Sequence, residues 1–109
     1  MSGTTTERSR TMKPTIEQIQ NEIEQLKELK PKIRHYSAFG DDNRASVQAQ
    51  IDVLERGMDE DGIYNRWDEG ERDMNIRDAA LGALQWMTNG ETDDGETGLA
   101  EGWKGLVQE

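Results

Sequence analysis

The sequence predicts an all-α fold: a small helical domain of three principal amphipathic helices, short connecting helices or loops, and a weakly helical C-terminal tail. Three observations lead there. Apolar residues recur at three- and four-residue intervals in three separate stretches. Residues that cap helices stand before those stretches. The one short aromatic stretch outside them, Ile63 to Trp67, would have no mate as a strand.

Residues 1–11 are mostly Ser, Thr, Gly and Arg without periodicity, so burial does not offset their ordering entropy and they are expected to form a loose tail. A helical domain is expected over residues 12–90. Thr15 opens its first helix, with Gln18 placed to complete a capping box. Ile16, Ile19, Ile23 and Leu26 then repeat at helical spacing, and Leu29 and Ile33 continue the face less regularly. Pro31 has no amide hydrogen and collides with the carbonyl of Lys27, which stops the helix near Lys30. His35 to Asn43 reads as a connector whose Asp41, Asp42 and Asn43 supply the next cap.

The second helix carries Val47, Ile51, Leu54 and Met58 on one face and is expected to run on to about Gly62. Asp52 and Arg56 stand four apart on its outer face, a pairing worth about 0.2–0.5 kcal/mol. Ile63 to Trp67 reads as a short helical turn or packed loop. Asn75 is the expected cap of the third helix, with Asp78 in the reciprocal position; Ile76, Ala79, Ala80, Leu81, Ala83, Leu84, Trp86 and Met87 make it the most apolar of the three. Its alanines allow a neighbour to approach closely, and Asn89 with Gly90 provides a left-handed stop.

Residues 91–109 are expected to form an acidic linker and a docking tail. In the tail Leu99, Trp103 and Leu106 share a face, but Gly98, Gly102 and Gly105 each weaken an isolated helix by roughly 1 kcal/mol. Such a helix needs a surface to dock on, either this domain's own groove or another protein. The three tryptophans, Trp67, Trp86 and Trp103, are the natural packing anchors of a chain with only 6% aromatic residues.

Composition narrows the chemistry. The chain has 109 residues, no cysteine and a net charge of −10, which excludes disulfides and thiolate metal sites and disfavours direct nucleic-acid binding. No apolar run is long enough to span a bilayer, so the expectation is a soluble cytoplasmic protein without a membrane partner. The acidity is uneven, with three basic against eight acidic residues between 59 and 78. No metal or cofactor is expected: taking Gly62 as the glycine of a calcium loop places Gly57 and Asp68 at its terminal ligand positions, and Gly90 spoils the corresponding register downstream. His35 is the only histidine and has neither an orienting acid nor a nucleophile beside it. No nucleotide-binding glycine pattern occurs, and no carboxylate pair is marked for acid–base work, so no enzymatic activity is expected.

The segment YNRWDEGERDMNIRDAALGALQWMTNGE and the closing GLAEGWKGLV give the chain, over roughly residues 12 to 107, a style that resembles compact acidic accessory proteins encoded by bacteriophages and prophages. That resemblance implies binding and inhibition of host factors, defence nucleases among them, in the host cytoplasm, and carries no residue role across. The leading expectation is therefore a protein-binding module that meets a host protein with a basic surface, as a nucleic-acid mimic. Its contact residues are Asp59, Glu60, Asp61, Asp68, Glu69, Glu71 and Asp73, supplemented by Asp93, Asp94 and Glu96 and anchored by Trp103. Two alternatives stand beside it. The charges can serve solubility alone, or the chain can be a structural protein that forms a homodimer through Ile16, Ile19, Ile23 and Leu26.

Overall fold

A computed structural model describes residues 13–68, 70–90 and 98–107, with the backbone alone for residues 70–73. Among the described residues five α-helices follow in order: α1 (Ile16–Leu29), α2 (Asn43–Arg56), α3 (Glu60–Arg66), α4 (Gly70–Asn89) and α5 (Leu99–Trp103). Single 3-10 turns extend α1 over Lys30–Lys32 and α5 over Lys104–Leu106. The fold is all-α, as the apolar periodicity requires. The expected loose tail at residues 1–11 and linker at residues 91–97 lie outside the described residues.

Local chemistry sets the helix starts. Thr15 Oγ1 accepts from Gln18 N at 3.1 Å while Gln18 Oε1 accepts from Thr15 N at 2.8 Å, a complete capping box. The Asp42 carboxylate caps α2 by accepting from Ala45 N at 3.0 Å. Pro31 falls in the 3-10 turn that closes α1, where its missing amide does no harm. Gly90 ends α4 at φ 78°, and its amide donates to Trp86 O at 2.7 Å.

Three local expectations are corrected. The second helix does not continue to Gly62. Gly57 adopts φ 63° and terminates α2 at Arg56, after which Asp59 Oδ1 accepts from Gly62 N at 2.8 Å and starts α3. Asn75 is not a cap. Residues 70–74 contain neither proline nor a β-branched residue, so α4 begins at Gly70 and carries Asn75 in its interior, where its amide donates to Asp41 Oδ1. Finally, Asp52 does not pair with Arg56. It accepts from Gln48 at 3.0 Å and meets Arg66 at 3.5 Å, a residue that α3 brings across from the next element.

The core lies where α2 crosses α4 and where α1 and α5 close its side. Leu26, Ile33, Val47, Ile51, Val53, Leu54, Ile63, Trp67, Ala80, Ala83, Trp86, Leu99 and Ala100 are buried in one cluster. Ala80 and Ala83 let the α2 and α4 backbones approach. Gln50 uses this proximity, its side-chain amide donating to Ala79 O at 3.0 Å. Along α1 and the turn that closes it, Glu22, Leu26 and Ile33 are buried and Ile19, Ile23 and Leu29 half-buried, whereas Ile16 is 76% exposed. A glutamate therefore stands in the middle of an otherwise apolar face.

Candidate functional site

The acidic surface is built around α3. Glu60 and Asp61 occupy its first turn, where carboxylates complement the helix dipole, and Asp68 follows its last turn; all three are exposed. Asp59 is exposed as well, but its carboxylate is engaged in capping Gly62 N. Glu69, Asp93, Asp94 and Glu96 lie outside the described residues, and Glu71 and Asp73 are placed on the first turn of α4 by their backbone alone.

Two arginines nearby bond within the fold. Arg66 pairs with Asp52 on α2 at 3.5 Å and lies 5.3 Å over the Trp67 ring. Arg77 lies 5.1 Å over the Tyr64 ring and donates to Trp67 O at 3.1 Å. Among the described residues, Glu60, Asp61 and Asp68 are exposed and make no ion pair.

The basic residues Lys27, Lys30, Lys32 and Arg34, at the end of α1 and just beyond it, are partly used within the fold. Lys27 pairs with Glu55 at 2.6 Å and Lys30 donates to Gln48 at 2.6 Å, whereas Lys32 and Arg34 are exposed. His35 is exposed, with Nδ1 3.5 Å from Asp42 Oδ1 and its ring 4.2 Å from that of Tyr36. Among the described residues no three His, Cys, Asp or Glu side chains gather as a metal site, and no helix is long and apolar enough to cross a membrane.

The Trp103 indole faces its own domain. Its Nε1 donates to Gln50 Oε1 at 2.7 Å and its ring is half-buried against the core. The described part of the tail is thus a strap on the domain: Leu99 and Ala100 are buried, Arg34 N donates to Leu106 O at 2.9 Å, and Ile33 and Val107 form an antiparallel bridge.

Sequence reasoning missed the polar centre beneath that strap. Glu22 is only 8% exposed, and its Oε1 accepts from Ala100 N at 2.9 Å. Burial pushes its carboxyl above the usual glutamate range and Glu101 adds to that push, while the hydrogen bond from Ala100 and the Lys104 ammonium oppose it. The signal was present in the chain: Ile19, Glu22, Leu26, Leu29 and Ile33 follow a more regular three-four spacing than the stripe through Ile16 and Ile23.

That second stripe lines an open groove of about 600 Å³ between α1 and α2, formed by Ile16, Ile19, Ile23 and Leu54 with Glu24 and the Lys27–Glu55 pair at its rim. The seam expected for self-association is therefore divided, with Leu26 fully buried in the core and Ile16 on the outer flank. No protein-family model, curated protein or solved structure matches the chain.

Proposed function

We propose that the chain is a non-enzymatic protein-binding module, of the kind phages and prophages use against host factors, whose acidic α3 face occupies the basic groove of a nucleic-acid-binding protein such as a defence nuclease. The observation that carries this reading is the arrangement of charge around α3. Glu60, Asp61 and Asp68 point to solvent while Arg66 and Arg77 are committed to Asp52, Trp67 and Tyr64. An exposed anionic surface of this kind steers a cationic partner and competes with phosphates for it.

The test begins with an affinity pull-down from host lysate to identify the partner, followed by calorimetry with the variant Glu60→Gln/Asp61→Asn/Asp68→Asn. Asp59 is spared because it caps α3. Exposed ion pairs contribute about 0.2–1 kcal/mol each, so the three changes should weaken binding by roughly 0.6–3 kcal/mol, about threefold to a hundredfold. Binding should also fall with salt and with added nucleic acid. Unchanged affinity together with undiminished binding in excess nucleic acid would reject mimicry.

A second reading, structural self-association, is favoured by the α1/α2 groove and by the 76% exposure of Ile16 at its edge. Sedimentation equilibrium separates the two. Self-association through this face predicts a mass that rises above 12.4 kDa with concentration and returns to that value in Ile16→Glu. A constant 12.4 kDa at micromolar concentrations rejects a stable dimer.

A further inference from the structure

We infer that Glu22 is a latch for the C-terminal strap, Gly98–Val107, holding it on α1 and α2 more tightly in acid and releasing it more readily toward neutral pH. This rests on the geometry beneath the strap and is independent of the acidic face of α3.

The five residues of α5 follow Gly98, an N-cap with no side chain to satisfy the free amides of that first turn. Glu22, reaching across from α1, supplies the acceptor, with Oε1 at 2.9 Å from Ala100 N. The fit leaves no spare volume: a Cβ on Gly98 would land on Glu22 Oε2 and 3.0 Å from its Cδ. Among the described residues, the strap's other polar fastenings are the Trp103–Gln50 bond, the Arg34–Leu106 bond and the Ile33–Val107 bridge. None of those groups gains or loses a proton near neutrality. Glu22 is therefore the fastening whose strength follows pH.

The direction comes from desolvation. With the strap in place the carboxyl is withdrawn from water, which penalises its ionised form and raises its pKa. With the strap away, Glu22 lies on an open helix face and has no such penalty. The docked state accordingly binds the proton more tightly, so docking is strongest below the ordinary glutamate value and weakens as pH rises through the docked one. The bond to Ala100 survives protonation, because a neutral carboxyl keeps its carbonyl oxygen as an acceptor. Two charged groups face Glu22 from the strap: Glu101 of α5, which adds to the upward shift, and Lys104 of the following 3-10 turn, which opposes it. They pair with each other at 2.5 Å on the exposed side, which mutes both.

The experiment is nuclear magnetic resonance on the full chain, comparing wild type with Glu22→Gln from about pH 7 to about pH 5, above the reference glutamate value near 4.3. Two reporters are read: hydrogen exchange at Ala100 N, corrected for the intrinsic pH dependence of exchange, and the Trp103 indole N–H resonance. Protection of Ala100 in the wild type should rise severalfold on acidification, with the indole resonance moving to its Gln50-bonded position. Glutamine keeps the acceptor without the charge, so that variant should be protected at neutral pH and flat across the range. A flat wild-type profile overturns the inference, as does a Glu22→Gln profile that follows the wild type. Loss of Ala100 protection in Glu22→Gln while Val53 in α2 stays protected overturns it as well. If the variant does not fold, the wild-type Glu22 side-chain carboxyl resonance decides: a midpoint above that of free glutamate supports the latch and one at or below it overturns it.

Discussion

Replacing Trp86 by alanine is expected to destabilise the protein by about 3–5 kcal/mol. Trp86 is 4% exposed and lies within the buried cluster, on the helix whose Ala80 and Ala83 bring α2 close. Removing the indole leaves a void that these small neighbours are too short to fill, so a cavity cost adds to the lost transfer energy. Domains of this size have total stabilities of roughly 5–15 kcal/mol, so the variant would be near the edge of folding at 25 °C. Urea unfolding followed by far-ultraviolet circular dichroism measures this, with an unchanged slope confirming that the folded state and not the reference state has moved. A loss below about 1 kcal/mol would contradict the placement of Trp86.

Gly98→Ala should cost about 1–3 kcal/mol, and for a reason unrelated to backbone freedom. Gly98 has φ −167°, an extended conformation open to any residue. The difficulty is the added methyl, which meets the Glu22 carboxylate. Relief requires that carboxylate to move, and moving it gives up the bond to Ala100 N. The result should be a strap that separates from the domain at lower denaturant concentration, reported by the Trp103 indole leaving Gln50. A double-mutant cycle isolates the cause: in a Glu22→Ala background the same substitution should be nearly neutral, giving a coupling within the usual range of about 0.5–3 kcal/mol for residues in contact. Equal costs in both backgrounds would show that the methyl strikes something other than Glu22.

Both variants probe features that the chain discloses to different degrees. Trp86 was readable as a core residue because it belongs to a dense apolar repeat with a left-handed stop behind it at Asn89 and Gly90. Glu22 was not, because a charged residue on a helix is ordinarily assigned to solvent. Reliance on apolar spacing likewise grouped Ile16 with Ile19, Ile23 and Leu26 as one face and let Met58 draw α2 past Gly57, since apolar spacing continues through a residue that the backbone uses to stop. Of the candidate acidic site, the exposure of Glu60, Asp61 and Asp68 was readable from charge density in a short polar segment. The engagement of Arg66 and Arg77 within the fold was not, as it depends on Asp52, Tyr64 and Trp67 arriving beside them.

The helical class and four of the helix ends were legible because they follow from interactions a few residues long: the Thr15–Gln18 box, the Asp42 cap, Pro31 and Gly90. What makes Glu22 a buried acceptor and seats the C-terminal segment on its own domain is tertiary contact. Glu22 meets Ala100 across 78 residues and Trp103 meets Gln50 across 53. Local periodicity carries no information about such pairings. A glutamate becomes a core residue when a distant backbone amide needs an acceptor and the apolar surface around both is closed against water.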